Sequence, residues 1–450
     1  MAVDDVDLHL EAGEIHALVG ENGAGKSTLA SIAARELKPD GGSVESSGTV
    51  GLVHQHFELI GRLRVWQNVL LGREPRRGWR IDLATARKRV HELAQSNGLQ
   101  IDVDAFVGDL PIGVQQRVEL LRELDRNPAI LLLDEPTAAL APSEIAAFFE
   151  TIRSLAARDT AVMIVTHKLQ DVIEYSTRVS VMRAGKIVET VRTAETTLTE
   201  IARAMVGGNL PRIAARTQHQ YRACVRIEHL HAGTGGAAAS DINLDVRAGE
   251  IVGIAGVEGN GQSAIADALC GTIPYDGTIE RPAMGAIPQD RQREALVLPW
   301  SLVQNAMLGR QRGRSGKRVI LDKTGARSDA AWIASNFDVR ATSLNAPVRT
   351  LSGGNQQKFV VGRALIDRPP FVLAYNPSRG VDVGAAALVQ SRLMQARNDG
   401  AAILLISFEL DEIFELADRI AVMYRGKIVA IFERKDAQRA SIGRMMAGGS

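Results

Sequence analysis

Short apolar runs recur along the chain, and each is followed by polar or glycine-rich residues; examples are residues 15–19, 130–133 and 401–406. Runs of this length fit strands buried in a parallel sheet, whereas a membrane helix needs about 20 apolar residues. Between such runs, stretches such as residues 81–98 have helical character. Alternating strands and helices predict an α/β fold with a mainly parallel sheet.

The whole pattern occurs twice. The residues from Asp5 through GEIHALVGENGAGKS recur from Asp241 through GEIVGIAGVEGNGQS, and Lys26 and Gln262 stand 236 positions apart. Farther along, the spacing becomes 241 positions, as between residues 136 and 377. This repeat predicts two domains of one fold, at residues 1–208 and 223–450, joined by a polar linker at residues 209–222. In each domain, the residues between the glycine-rich loop and the later motifs would form a helical subdomain.

The two copies differ at their beginnings. The second copy has strand-like residues from Cys224 onward before its Asp241, whereas only residues 1–4 precede Asp5 in the first copy. We therefore expect the first domain to lack the strand that opens the second, with the native start lying upstream of Met1.

Composition and charge narrow the class of protein. The chain of 450 residues is 45% hydrophobic and 23% charged, which is typical of a globular protein. Lys and Arg (53) nearly cancel Asp and Glu (52), so no charge footprint for broad nucleic-acid binding is present. Cys224 and Cys270 lack metal-ligand spacing and are expected to be reduced thiols. Residues 1–14 have no signal-peptide pattern, so any membrane role is expected to act through a partner.

A glycine-rich segment of the first copy, GENGAGKST, lies between a predicted strand and a predicted helix. Its glycines let N–H groups converge on phosphate oxygens at a helix N-terminus. Lys26 is expected to contact the β- and γ-phosphates, and Ser27 to ligate Mg²⁺. The predicted phosphate-binding residues are Gly20, Asn22, Gly23, Gly25, Lys26, Ser27 and Thr28.

Polar residues that end two later strands complete this predicted site. Asp134 and Glu135 follow a buried strand, and such strand ends face the ligand crevice of a parallel sheet. Asp134 is expected to hold Mg²⁺ through water, and Glu135 to polarise the attacking water. His167 ends another apolar strand and is expected to contact the γ-phosphate.

Gln55 lies between the phosphate loop and the predicted helical subdomain. We expect its side chain to contact Mg²⁺ and the attacking water. His54 and His56 flank it without a third metal ligand, so we expect them to make packing or partner contacts.

The second copy lacks most of this chemistry. Gln262 replaces the lysine, Tyr375 and Asn376 replace the two acids, and Phe408 replaces the histidine. Gln289 remains at the position equivalent to Gln55. This copy is not expected to hydrolyse a nucleotide with its own residues.

A second motif shows the opposite distribution. The second copy has LSGGNQQK at residues 351–358, whereas Pro111 stands at the position of Ser352 in the first copy. A proline supplies neither a hydroxyl nor an N–H group to a phosphate. Asp382 of the second copy likewise corresponds to Ala141. In this order, the motifs resemble those of ATP-binding-cassette ATPases, a family of P-loop NTPases, over nearly the whole chain.

The resemblance implies that ATP is held between the phosphate loop of one domain and the LSGGQ-like signature of the other. One composite site is then complete, and its residues are Lys26, Ser27, Gln55, Asp134, Glu135 and His167 with Ser352, Gly353, Gly354, Gln356 and Asp382. The other site combines Gln262, Tyr375, Asn376 and Phe408 with Pro111 and Ala141, and is degenerate on both faces. The resemblance also implies that the expected first strand of the first domain leads to an aromatic residue that stacks on adenine.

The tandem arrangement resembles the ATP-binding subunits of bacterial importers for simple sugars and purine nucleosides. VHQHFELI and IPQDRQREALVL are closer to the nucleoside type. This implies ATP and Mg²⁺ as ligands, two membrane permeases and an extracytoplasmic solute-binding protein as partners, and a place at the cytoplasmic face of the membrane. The alternatives are a soluble tandem ATPase that acts on ribosomes or DNA, and a nucleotide-binding regulator without hydrolysis.

Overall fold

The computed structural model describes residues 2–55, 57–137, 140, 142–208, 211–217, 223–309, 322–446 and 448. The chain divides into two compact units, Met1–Asn209 and Leu210–Ser450, which are called the first and second domain below. His56 and Ala141, for which the sequence makes predictions, lie outside the described residues, as do parts of the predicted linker.

Strands and helices alternate through the first domain. Its strands are β1 (Ile15–Gly20), β2 (Val50–Val53), β3 (Arg76–Arg77), β4 (Arg80–Ile81), β5 (Ile130–Asp134), β6 (Ala161–Thr166), β7 (Arg178–Arg183) and β8 (Lys186–Arg192). Its helices are α1 (Lys26–Ala33), α2 (Val65–Val69), α3 (Leu83–Ser96), α4 (Ile112–Leu124), α5 (Pro142–Ala156), α6 (Leu169–Tyr175) and α7 (Leu198–Val206).

The main sheet of the first domain has the strand order β2-β5-β6-β1-β7-β8 and is parallel except for β8. Every residue of β1 and β6 is buried. Both faces of these central strands are covered, which explains their nearly continuous apolar sequence. Because β1, β6 and β5 are parallel neighbours, their carboxyl ends meet at one edge of the sheet.

The predicted helical subdomain is formed by α2, α3 and α4, which share an apolar cluster separate from the clusters around the sheet. Trp66, Val90 and Leu121 are among its buried members. At the start of α3, the Asp82 carboxylate accepts a hydrogen bond from the Thr85 N–H at 3.1 Å. This N-cap stabilises the first turn of the helix that the sequence predicts there.

The second domain repeats this organisation. Its strands are β9 (Ala223–Ala232), β10 (Ala239–Arg247), β11 (Ile251–Ala255), β12 (Tyr275–Glu280), β13 (Met284–Ile287), β14 (Phe371–Tyr375), β15 (Ala402–Ser407), β16 (Arg419–Tyr424) and β17 (Lys427–Glu433). Its helices are α8 (Gln262–Cys270), α9 (Leu302–Ala306), α10 (Lys323–Asn336), α11 (Gly353–Leu365), α12 (Val383–Asn398), α13 (Leu410–Leu416) and α14 (Arg439–Met446). The main sheet has the order β13-β14-β15-β11-β16-β17, so the predicted α/β class with mainly parallel sheets is confirmed for both domains.

A three-stranded antiparallel sheet, in the order β10-β9-β12, is added in the second domain. In the first domain, the described residues before β1 form no strand. None of the helices in the described ranges is both long and apolar enough to cross a bilayer.

Residues 211–217, the described part of the predicted linker, pack on the second domain. The Arg216 guanidinium lies 3.3 Å from the Asp418 carboxylate, and the Asn398 side chain donates a hydrogen bond to the Ala215 carbonyl at 2.8 Å. This segment therefore forms part of the second domain's surface.

Candidate functional site

The loop between β1 and α1 has the backbone shape that phosphate binding requires. Gly23 and Gly25 adopt φ angles of 82° and 102°, which side chains rarely tolerate. A Cβ atom on Gly25 would clash with the carbonyl oxygen of Ala2, and one on Gly20 would clash with that of Met182. The loop therefore stays tight, and its N–H groups remain available at the N-terminus of α1.

Lys26 is the first residue of α1 and is buried over this loop. Its Nζ donates hydrogen bonds to the carbonyl oxygens of Gly20, at 2.9 Å, and Glu21, at 3.0 Å. A lysine has three donors, so these two bonds fix the ammonium group and leave one donor for a ligand. Burial lowers the pKa of Lys26, and the nearby carboxylates of Glu135 and Asp134 oppose that shift.

Asp134 ends β5 with its side chain buried beside α1. Burial raises the pKa of this carboxyl, and a hydrogen bond from the Ser27 hydroxyl lowers it. The second carboxylate oxygen, Oδ1, is buried and has no hydrogen-bond partner among the described residues. An unpartnered carboxylate oxygen beside a hydroxyl fits the all-oxygen environment that Mg²⁺ prefers.

Glu135 joins two residues that are far from it in sequence. Its Oε2 accepts a hydrogen bond from Gln55 Nε2, and its Oε1 accepts one from His167 Nδ1, both at 3.0 Å. The backbone of Glu135 is left-handed, with φ at 49°, and its N–H donates to the Val165 carbonyl at 2.8 Å. The hydrogen bond from His167 is the main cause that lowers the pKa of Glu135. The structure thus places an ionised carboxylate among the predicted catalytic residues.

The histidine beside Gln55 makes a contact within the first domain. The Nε2 of His54 lies 3.1 Å from the Glu36 carboxylate. This agrees with a packing role for His54, and His56 lies outside the described residues.

A neighbouring pair at this edge was missed by reasoning from the sequence. The Thr137 hydroxyl donates to the Asp171 carboxylate at 2.8 Å, and Lys168 Nζ donates to the Thr137 carbonyl at 2.9 Å. The second domain has the same arrangement, because the Ser378 hydroxyl donates to the Glu412 carboxylate at 2.7 Å. Both members of the second pair stand 241 positions after those of the first, so the repeat itself was the available signal.

In the second domain, the side chain that bonds the corresponding loop is uncharged. Gln262 is buried at the start of α8, and its Nε2 donates to the Val257 carbonyl at 3.0 Å. Gly259 and Gly261 keep φ angles of 91° and 102°. The shape of the loop is retained, whereas its positive charge is lost.

The strand-end residues of the second domain keep the backbone of the first and change its chemistry. Asn376 is left-handed like Glu135, with φ at 46°. Its Oδ1 accepts a hydrogen bond from the Phe408 N–H at 3.0 Å. The rings of Tyr375 and Phe408 form an edge-to-face pair with centroids 6.0 Å apart, and burial raises the pKa of Tyr375 to about 12. This edge packs like a core and offers no carboxylate at either strand-end position.

The signature residues of the second domain lie together at the start of α11. Ser352 is the N-cap of this helix, and its hydroxyl accepts hydrogen bonds from Asn355. Asp382, the N-cap of α12, lies against Gly354, where a Cβ would come within 2.6 Å of the carboxylate. A Cβ on Gly353 would come within 2.8 Å of the Arg291 guanidinium, so both signature glycines lie close against neighbouring side chains.

Gln356 does not point to this surface. It is buried, and its amide nitrogen donates to the carbonyl oxygens of Val348 and Leu351, both at 3.3 Å. Its amide oxygen accepts a hydrogen bond from Gln292 at 3.1 Å. Both ends of its amide are therefore engaged within the second domain, where Gln356 supports the signature turn, and its predicted contact with the nucleotide stays a prediction.

The equivalent turn of the first domain begins at Pro111, which supplies no side-chain cap to α4. A Cβ on Gly113 would come within 2.9 Å of the Glu144 carboxylate. Arg117 pairs with Glu144 at 3.3 Å. The first domain therefore keeps a carboxylate beneath this turn but lacks the serine.

Known proteins support the family resemblance. A family described as "ABC transporter" matches residues 3–138 and 239–379. The chain is 38% identical over 484 residues to the nucleoside import ATP-binding protein NupA of Lactococcus lactis subsp. cremoris, covering 100% of this chain and 96% of the relative. It is 36% identical over 482 residues to the guanosine import ATP-binding protein NupO of Bacillus subtilis, covering 100% and 94%. Identity to the ribose import ATP-binding protein RbsA 1 of Rubrobacter xylanophilus is 33% over 480 residues, covering 100% and 96%.

Among solved structures, the chain resembles one described as the complex of archaeal ribosomal stalk protein aP1 and archaeal ribosome recycling factor aABCE1. The TM-score is 0.70 at 18% identity, covering 98% of this chain and 89% of that chain. At this level of identity, the similarity bears on the fold alone.

Proposed function

Because the chain belongs to the ABC transporter family, whose ATP-binding members are ATPases, and is similar to import ATP-binding proteins, we propose that it energises uptake of a purine nucleoside through membrane permeases. The solute class follows relatives named for nucleoside and guanosine import and the nucleoside-type segments of the sequence. The expected partners are two permeases and an extracytoplasmic solute-binding protein, which would hold this subunit at the cytoplasmic face of the membrane.

The arrangement around Glu135 carries the proposal. One lowered-pKa carboxylate accepts hydrogen bonds from Gln55 and His167 beside the buried ammonium of Lys26. Glu135 would polarise the attacking water, His167 would orient the γ-phosphate, and Lys26 would hold the phosphate oxygens. Mg²⁺, held by Ser27, Gln55 and Asp134, would neutralise charge on the phosphates when bound.

We propose that hydrolysis requires residues of both domains. The first domain supplies the catalytic residues, and the second supplies Ser352, Gly353, Gly354 and Asp382, which its own fold brings together. On this proposal, the domain with the degenerate phosphate loop is required for hydrolysis by the other.

Replacing Glu135 with glutamine tests the site. The amide keeps the size of the side chain but removes the base, so ATP turnover should fall by about 10²- to 10⁴-fold while ATP stays bound. Glu150→Gln, on the exposed face of α5, is the matched control and should hydrolyse ATP normally. Undiminished turnover in the Glu135 variant would contradict the assignment.

Uptake in the host tests the transport function separately. Deleting the gene should abolish uptake of labelled purine nucleosides and spare that of ribose, and the tagged protein should co-purify with permeases. Loss of ribose uptake instead would assign a sugar, and co-sedimentation with ribosomes alone would favour the soluble alternative.

A further inference from the structure

The phosphate loop of the second domain carries a carboxylate of its own. The two loops read GENGAGKS and GVEGNGQS, so Glu258 stands where the first loop has Asn22. Both side chains are exposed at the tip of their loops. The first loop is therefore neutral at this position and the second is acidic.

Glu258 is held by two donors of the second domain. Its Oε1 accepts a hydrogen bond from Gln289 Nε2 at 3.1 Å and lies 3.5 Å from Nη1 of Arg379. Gln289 is the equivalent of Gln55, which donates to Glu135 in the first domain. The equivalent glutamine of each domain thus donates a hydrogen bond to a carboxylate. In the second domain that carboxylate belongs to the phosphate loop itself.

The loop itself has no basic residue, and the cation beside Glu258 is Arg379, which follows β14 and already pairs with that carboxylate. Gln262 replaces the lysine and bonds the loop carbonyl of Val257, and Tyr375 and Asn376 replace the acids that would hold Mg²⁺. A bound triphosphate would set its terminal phosphate against Glu258 without a lysine or a metal ion to offset the repulsion.

The rest of the loop keeps a binding geometry. Gly259 and Gly261 have the left-handed backbone of the first loop, and α8 begins directly after them. Two polar atoms of buried side chains at this edge, Gln262 Oε1 and Asn376 Nδ2, have no hydrogen-bond partner among the described residues. The backbone shape of a phosphate-binding loop is therefore present, with unused hydrogen-bonding capacity beside it.

We propose that the second phosphate loop takes a nucleoside diphosphate and excludes the triphosphate, because a terminal phosphate would meet the Glu258 carboxylate at the tip of the loop. Binding there needs no Mg²⁺. The inference rests on ATP being the nucleotide of the proposed function, and it makes Glu258 the residue that gives the two loops different nucleotide preferences.

The test measures nucleotide binding by calorimetry in the full chain that carries Lys26→Ala. This substitution weakens nucleotide binding at the first loop. ADP should bind with the same affinity in Mg²⁺ and in EDTA, and a non-hydrolysable ATP analogue should bind at least about tenfold more weakly. Adding Glu258→Gln should tighten binding of the analogue by about tenfold, whereas Glu258→Asp, which keeps the charge, should not.

The reciprocal change supplies the matched control. Asn22→Glu in the otherwise native chain should weaken binding of the ATP analogue at the first loop. Binding of ADP there should change less. Equal affinity of the second loop for both nucleotides, binding of neither, or no response to Glu258→Gln would each overturn the proposal. These measurements do not depend on transport or hydrolysis, so failure of the importer assignment would leave their outcome unchanged.

Discussion

Glu135 accepts hydrogen bonds from Gln55 and His167, and the second of these lowers its pKa. The hydrogen bond from His167 is the largest cause that lowers its pKa, with further lowering by the charge of Lys26. A general base works only while it is ionised, so a lowered pKa preserves the active form as the solution becomes acidic.

Removing His167 should shift the acidic limb of the ATPase pH profile. In His167→Ala, the pKa of Glu135 rises toward its ordinary value, so the residual activity should fall away at a higher pH than in the native protein. His167→Gln keeps a hydrogen-bond donor and is the control. The acidic limb of its pH profile should lie closer to that of the native protein. The profile is measured as activity relative to each variant's own maximum. An unmoved limb in His167→Ala would mean that this hydrogen bond does not set the pKa.

Most residues of this site were predictable because each follows an apolar strand or loop whose direction is set by the parallel sheet. Asp134 ends β5, whereas Glu135 and His167 directly follow β5 and β6, and the structure brings the last two to 3.0 Å. The burial of Gln356 was not predictable, because one sequence motif contains both exposed and buried positions. Its buried amide bonds Gln292, which lies 64 residues away in the sequence.

At the scale of the element, β1 contains a histidine inside a strand whose residues are all buried. The His16 Nε2 lies 2.8 Å from the Ser180 hydroxyl, which lies 2.7 Å from the Thr190 hydroxyl. Burial is the main cause that lowers the pKa of His16 to about 4. The histidine is therefore neutral in the folded protein at neutral pH, and charging it would require an ion in the core.

Because His16 is buried as a neutral group, the free energy of unfolding of the first domain should fall in acid. As the pH falls from 6.5 toward about 4, the unfolded chain binds a proton at His16 before the folded chain does, which lowers the free energy of unfolding. The largest effect is about 3 kcal/mol. His16→Val, the residue that β11 has at the equivalent position, should flatten this dependence in urea unfolding measured over the acidic range. An unchanged slope would show that His16 does not titrate this way.

At the scale of the whole molecule, the repeat predicted two domains with mainly parallel sheets, and the elements that escaped prediction are those without an apolar run. β12 is exposed at nearly every position and joins its sheet through backbone pairing with β9. The hairpin of β3 and β4 is likewise exposed along its length. Backbone hydrogen bonds leave no periodic signal in the side chains, so such strands are found only in the folded chain.

The last prediction tests the proposal that hydrolysis requires residues of both domains. On that proposal, Ser352→Ala should lower ATP turnover by on the order of 10²-fold, because a donor to the phosphates is lost. Pro111→Ala, at the equivalent position of the first domain, should change turnover little, since no hydroxyl is present there to lose. Steady-state ATPase measurements compare the two variants directly.

Ser352 is also a helix cap, so loss of stability must be separated from loss of function. Its hydroxyl accepts the Asn355 N–H at the start of α11, and removing such a cap costs about 1 kcal/mol. Ser301 caps α9 of the same domain in the same way, accepting the Gln304 N–H at 3.2 Å, and lies outside the signature. Ser301→Ala should therefore match the stability loss of Ser352→Ala while keeping native turnover. Equal turnover in these two variants would mean that the signature serine acts only on the helix, and the site would then be complete within the first domain.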